Sequence, residues 1–365
     1  MDNIKRDFIL LNMVQGIGYI RLKVLLDEFK DVHNIFKAPL NTLKAIKGIG
    51  PQIAEAIKNA HSDYDIDKEI ELVKKAGVKV VTLLDKEYPE LLRTIYDPPM
   101  LLYVKGELKE EDKLSVAIVG SRKCTYYGLS MAQRIASELV NYKVVIVSGL
   151  ARGIDTAAHK GAVKNNGRTI AVLGNGLCSI YPAENKELAE QILRNGALVS
   201  EFPMEAKPYR QNFPRRNRVI SGLSKALLVV EAAKKSGALI TADFALEQGR
   251  DVFAVPGMAD RSLSNGTNAL IKQGAKLVEN ADDVLEEFGI DKAEPVDKNG
   301  DSYFSANPYE KNILNVLSDK PCDIDTIIRK LEIQAQQAKL MLLNMELKGV
   351  IKQLPGKLYV IGQKS

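Results

Sequence analysis

Residues 116–147 read VAIVGSRKCTYYGLSMAQRIASELVNYKVVIV, and this stretch decides the fold. Val116–Val119 is apolar on both faces and rich in β-branched side chains, the pattern of a strand buried inside a parallel sheet. Gly120-Ser121-Arg122 interrupts the run. Ser130–Val140 then carries apolar residues at helical spacing, and Val144–Val147 returns as a second buried strand. Strand, glycine loop, helix and strand make the crossover unit from which parallel sheets are built.

The same alternation continues outward. Val78–Leu83, Leu101–Val104, Thr169–Leu173, Ala197–Ser200, Ala226–Val230 and Val252–Val255 are further candidate strands. Thr156–Lys164, Lys186–Leu193 and Ala238–Glu247 are candidate helices between them. The pattern predicts an α/β domain over 77–289, a Rossmann-like doubly wound and mainly parallel sheet. Ligands of such sheets collect beyond the carboxyl ends of the strands.

Three other segments flank it. Residues 1–76 are predicted wholly helical, 290–306 form a polar linker, and 307–365 form a small module. The N-terminal region carries an approximate repeat, Gln15-Gly16-Ile17-Gly18 and Lys47-Gly48-Ile49-Gly50-Pro51, each between helical stretches. This is the helix-hairpin-helix pattern: Gly48 and Gly50 permit the reversal, and Pro51 suits a first helical turn. Such hairpins either hold a DNA phosphate on backbone amides or serve as packing units; Lys44, Lys47 and Lys58 supply the nearby charge. In the tail, Pro308–Asp319, Ile324–Leu331 and Ala335–Leu347 read as helices before a hairpin over 349–361. Three helices and a hairpin make a winged helix. Its third helix offers Gln334, Gln336, Gln337 and Lys339, a polar face suited equally to duplex or to protein.

Composition narrows the class. With 365 residues, 45% apolar and 27% charged, the chain has ample core and is neither disordered nor collagen-like. No run of about 18 apolar residues is present, so no membrane helix is expected. Residues 1–7 are charged and lack the apolar core of a signal peptide, which predicts a cytoplasmic location. Cys124, Cys178 and Cys322 form no C-x-x-C, and only His33, His61 and His159 accompany them. A disulfide framework, a zinc site and a metal cofactor are not expected.

Four loops carry the candidate chemistry. Gly120, Ser121 and Arg122 leave a strand just before a helix, where backbone amides and a planar guanidinium suit a phosphate. Ser148–His159 precedes another helix; His159 has no Asp or Ser partner in the sequence and reads as structural. Gly174-Asn175-Gly176 starts like a dinucleotide loop, but Ser179 replaces the last glycine and no ribose-binding acid follows at the right spacing. No Walker A loop occurs.

The fourth loop is the most informative. From Glu205 to Lys235 the chain holds eight basic residues against two acids, including Arg210, Arg215, Arg216, Arg218 and Lys235. Phe202, Tyr209 and Phe213 interleave with them, and Asn217 lies among the arginines. Cations that track phosphates beside rings that stack on bases are what single-stranded nucleic acid binding requires. Asp155, Glu201, Glu231 and Asp243 are the candidate carboxylates, and sequence gives none of them a partner. Positive charge without a nucleophile–base pair predicts a binder, with no catalytic residues and no cofactor.

Gly120-Ser121-Arg122, Ser148–Asp155 and Phe213-Pro214-Arg215-Arg216-Asn217-Arg218-Val219-Ile220-Ser221-Gly222-Leu223 together closely resemble the DNA-processing protein A (DprA/Smf) family. Ser236–Thr241, Gly249–Gly257 and Ser264–Ile271 continue the match, so that it spans about 80–288. The flanks look like the family's sterile-alpha-motif-like and winged-helix-like modules. The resemblance implies a cytoplasmic recombination mediator that protects incoming single-stranded DNA and helps load the RecA recombinase during natural transformation. It implies a homodimer, with contacts from Leu246, Ile271 and Leu277. It places Arg122 at a phosphate, Arg210 at the position of a family DNA-binding cation, and Phe213 at that of a base-contacting aromatic. Ala183 departs from the family, which often has a basic residue there. Two other readings are weaker. A phosphoribohydrolase on a related fold would need a Pro-Gly-Gly-x-Gly-Thr-x-x-Glu loop, which is absent. A winged-helix regulator with a ligand-sensing centre would show preference for one duplex sequence.

Overall fold

The computed structural model describes residues 3–290, 308–319, 321–331, 333–347 and 350–361. The chain divides into two compact units after Asp291. The expected linker, 290–306, lies outside the described residues except for Ile290.

The first unit opens with α1 (Asn3–Met13), α2 (Tyr19–Phe29), α3 (Val32–Lys37), α4 (Leu40–Ala45), α5 (Pro51–Asp63) and α6 (Ile66–Lys75). Both hairpin turns fall where the sequence places them, between α1 and α2 and between α4 and α5. Gly48 sits at φ 90°, a left-handed conformation that disfavours any side chain. Gly50 has φ −72° and needs no such freedom, so the reversal rests on Gly48 alone. Two of the three lysines near this turn are engaged. Lys44 pairs with Glu55 at 2.8 Å, and the Lys58 ammonium donates to the Phe36 and Ala38 carbonyls.

The sheet follows, as β1 (Val78–Thr82), α7 (Glu90–Arg93), β2 (Leu101–Gly106), β3 (Ser115–Val119), α8 (Tyr126–Leu139), β4 (Val145–Ser148) and α9 (Ile154–Lys164). Then come β5 (Thr169–Val172), α10 (Lys186–Ile192), β6 (Ala197–Ser200), α11 (Asn212–Gly222), β7 (Ala226–Val229) and α12 (Gly237–Glu247). β8 (Asp251–Ala254), α13 (Asn265–Lys272), β9 (Lys276–Leu277) and α14 (Ala281–Glu287) complete the unit. Strand order is β1-β2-β6-β5-β4-β3-β7-β8-β9. Neighbours from β6 to β9 pair parallel, whereas β1–β2 and β2–β6 are antiparallel. This is the expected doubly wound, mainly parallel sheet. The chain steps from β3 one way to β4 and later returns to β7 on the other side, which puts the topological switch between β3 and β7.

Every residue of β3, β4, β5, β6 and β7 is buried, which explains their unbroken apolar runs. One core cluster joins Val119, Val147, Val172, Ile220 and Ala242, and a second joins Ile118, Ile146, Ile135 and Ala158. A third runs from Phe8, Leu22 and Ile57 to Tyr103, Leu173 and Met204. The expected division at residue 76 is therefore no break in packing, because the N-terminal helices share a core with the sheet.

The second unit contains α15 (Pro308–Asp319), β10 (Cys322–Asp323), α16 (Ile324–Leu331), α17 (Ala335–Leu347), β11 (Ile351–Leu354) and β12 (Leu358–Ile361). β12 pairs antiparallel with both β10 and β11, so the three helices lie against a three-stranded sheet, one short strand more than the sequence pattern predicts. Ile313, Leu317, Ile327, Leu342 and Ile351 fill its core.

Candidate nucleic-acid interface

An open cleft of about 650 Å³ lies at the switch point. Gly120, Ser121, Arg122 and Lys123 from the end of β3 form one side, and Ser236, Gly237, Ala238, Ile240 and Thr241 from α12 form another. Tyr181, Pro208, Arg210, Phe213, Arg216 and Asn217 also line it, as does Asp155.

The middle of the segment read as a basic loop, with Arg215, Arg216 and Arg218, is a helix, α11. Pro214 is tolerated because it falls in the first turn, where backbone N–H groups lack intrahelical acceptors anyway. The helix sorts its cations by face. Arg216 is 3% exposed, and its Nη1 donates to the Gly149 and Val172 carbonyls at 2.5 Å. It therefore ties α11 to the ends of β4 and β5 from beneath the cleft. Asp155 lies beside it and accepts from the Ala151 amide at 3.3 Å. Burial pushes the Asp155 carboxyl up, against the pull of Arg216, and lowers the Arg216 guanidinium to about 10. Arg216 still carries its charge at neutral pH.

Arg218 corrects the expectation that it meets DNA. It is 8% exposed, donates to the Asp97 carbonyl at 2.6 Å and pairs with Glu201 at 2.5 Å. Arg215 does not line the cleft; it reaches Glu201 at 3.5 Å and lies over the Phe202 ring at 5.4 Å. Phe202 is buried and has a core role rather than a stacking one. Lys235 is exposed beside Ser236 but outside the lining itself. Asn217 donates to the Gly237 carbonyl at 3.3 Å and joins α11 to the start of α12.

Above this floor Arg122 and Tyr181 are exposed and Phe213 is half-buried. Arg122 lies over the Phe213 ring at 5.0 Å, and Arg216 lies over the same ring at 5.9 Å. Tyr181 packs against Phe213 with ring centroids 5.8 Å apart. Gly174 backs the stack, and a Cβ there would come within 2.9 Å of the Phe213 ring. Arg210 is exposed at the end of a segment anchored by the N-terminal helices. Asn12 donates to the Glu201 carbonyl at 3.0 Å, and Glu69 accepts from the Met204 amide at 2.8 Å. Sequence reasoning missed Tyr181 and Arg152. A tyrosine before a proline and an arginine before a glycine were visible, but no local pattern brings them to Phe213.

The loop amides do not behave as the sequence predicts. The α8 N-terminus was expected to attract a phosphate, yet Glu231 occupies it: its carboxylate accepts from the Thr125 amide at 2.8 Å and the Thr125 hydroxyl at 2.5 Å. The Ser121 amide goes to the Glu231 carbonyl at 2.7 Å. A Cβ on Gly128 would sit 2.5 Å from that carboxylate, which accounts for glycine there. Asp155 stands in the first turn of α9 but reaches back to the Ala151 amide of the preceding loop, so it puts a carboxylate near that N-terminus without capping it. Three carboxylates that sequence left unpaired, Asp155, Glu201 and Glu231, thus act as internal counter-charges. His159 is fully buried and bonds Thr169 Oγ1 at 2.8 Å, the structural role expected of it. Among the described residues no group of three acidic, His or Cys side chains could hold a metal, and no helix is long and apolar enough to cross a membrane.

Fold and cleft together define a Rossmann-like α/β protein with a cation-rimmed groove at its topological switch point, joined in sequence to a winged helix. The chain belongs to the DNA recombination-mediator protein A family, whose model matches residues 79–289, and a DprA winged-helix model matches 300–357. Protein Smf of Synechocystis is 35% identical over 95% of this chain and 96% of its own length. The crystal structure of DNA processing protein A from Streptococcus pneumoniae has a TM-score of 0.69 and 37% identity, covering 79% of this chain and 99% of that one. DNA processing protein A from Helicobacter pylori, described for its single-stranded DNA binding mode, has a TM-score of 0.53 and 31% identity over 58% of this chain and 97% of its own.

Proposed function

We propose that the cleft binds single-stranded DNA, with Arg122, Arg210 and Lys235 at phosphates and Phe213 against a base. The observation that carries this reading is the Arg122–Phe213–Tyr181 stack, with Arg122 and Tyr181 exposed and Phe213 half-buried, in a groove rimmed by cations. A ring beside a cation offers each nucleotide both a stacking surface and a counter-charge. The likeness to the Helicobacter pylori protein supports it. Gly120 and Ser121 shape the approach, Arg216 and Asn217 form the floor, and Arg215 is a peripheral cation.

The protein acts as a cytoplasmic recombination mediator rather than an enzyme, protecting incoming strands and helping load RecA in natural transformation; family membership supports this part. A homodimer forms through the sheet edge at β9, where Leu246 is 58% and Leu277 42% exposed beside the half-buried Ile271. The winged helix serves protein contact: α17 exposes Leu340 and Leu343 next to Gln336 and Lys339.

The hydrolase reading is disfavoured by Glu231 and Asp155. Glu231 caps the α8 N-terminus that a mononucleotide phosphate would use, and Asp155 sets a negative charge in the first turn of α9. Fluorescent oligo-dT tested against its duplex and against thymidine monophosphate separates the two. Preference for the single strand, with no competition by millimolar monophosphate, is expected; competition with release of free base would overturn the proposal.

A further inference from the structure

We propose that Arg152 is a second phosphate subsite, held closed by Glu184 until a strand displaces the carboxylate. The inference rests on the single-strand reading of the cleft. Arg152 and Glu184 form a bidentate pair, Nε to Oε1 and Nη2 to Oε2, both at 2.7 Å. Both side chains stay more than half exposed. Arg152 lines a small recess together with Arg122, Tyr181 and Phe213, so the pair stands next to the aromatic stack.

The pair is built rather than incidental. Asn185, the neighbour of Glu184, is buried and donates to the Leu150 carbonyl at 2.8 Å and to Thr156 Oγ1 at 2.9 Å. Thr156 in turn donates to the Ala151 carbonyl at 2.7 Å. The backbones that carry the two charges are therefore fixed to each other, and only the side chains remain free to exchange partners. A guanidinium fork accepts a carboxylate and a phosphodiester in the same geometry. An exposed pair of this kind is weak and screened by salt, so a DNA phosphate, delivered at high local concentration by the neighbouring stack, can replace the carboxylate. Glu184 thereby lowers affinity for any strand that does not reach past Tyr181.

The test is a salt series of oligo-dT binding with Glu184→Gln, Arg152→Ala, the two combined, and Glu187→Gln as a remote charge control. Glu184→Gln is expected to tighten binding about three- to fivefold at low salt. It should also steepen the log–log salt slope by up to about 0.7, because in the wild type the phosphate gains Arg152 only by freeing a carboxylate that takes up a cation of its own. In the Arg152→Ala background the same change should do nothing, and Glu187→Gln should leave binding near wild type. A gain that persists without Arg152 would show simple relief of repulsion and overturn the inference. So would an unchanged Glu184→Gln slope while Arg122→Ala still weakens binding. Loss of any effect at Arg122 would instead defeat the single-strand reading itself.

Discussion

Arg216 and Arg122 both lie over the ring of Phe213, at 5.9 and 5.0 Å, yet they belong to different parts of the molecule. Arg216 is buried, bonded to two strand-end carbonyls and balanced by Asp155. Arg122 is exposed, and its guanidinium lies over the ring at the lining of the cleft. The floor of the cleft uses its cation to close the structure, while the rim keeps its cations available. One residue type in one short stretch therefore does two jobs, and burial decides which.

The largest expected effect lies in the floor. Arg216→Ala would strip the buried Asp155 carboxylate of its counter-charge and two carbonyls of their guanidinium donor, at a cost of roughly 3–5 kcal/mol. Urea unfolding should register it as a lower midpoint, whereas Arg122→Ala should stay within about 0.5 kcal/mol of wild type. Equal midpoints for the two variants would erase the distinction.

A second expectation concerns pH. Burial lowers His159 from 6.5 to about 3, with Arg216 adding repulsion, so the folded protein holds it neutral. The unfolded chain binds that proton first, so this contribution is complete above about pH 6.5 and is lost as pH falls toward 3, on the order of a few kcal/mol. His159→Asn should flatten the fall in stability across that window. An unchanged slope would mean that other groups dominate.

A smaller effect sharpens the role of the rim. Phe213→Leu keeps the apolar bulk and removes the stacking face, so oligo-dT affinity should drop about tenfold, near the low end of one base stacked on a ring. Affinity within twofold of wild type would reduce Phe213 to a packing element.

Much of this was legible in the sequence. β-branched runs ending in glycine marked the buried parallel strands, and the spacing of Gly120, Gly149 and Gly174 marked the loops at their ends. Other features were not. β9 is two residues long and carries no periodicity. α11 was hidden by Pro214 and by its arginines, because a helix that buries cations has no apolar stripe. The partners that bury them lie far off in the chain, Asp97 at 121 residues from Arg218 and Gly149 at 67 from Arg216. The Glu231 cap was equally hidden, since it reaches Thr125 across 106 residues.

The most direct measurement is the affinity of fluorescent oligo-dT across a salt series for wild type and Arg122→Ala/Arg210→Ala, with urea unfolding of both. The exposed rim predicts much weaker binding, a log–log salt slope shallower by about 1.4, and an unfolding midpoint close to wild type. Unchanged affinity and slope in the double variant would contradict the assignment of DNA binding to this cleft.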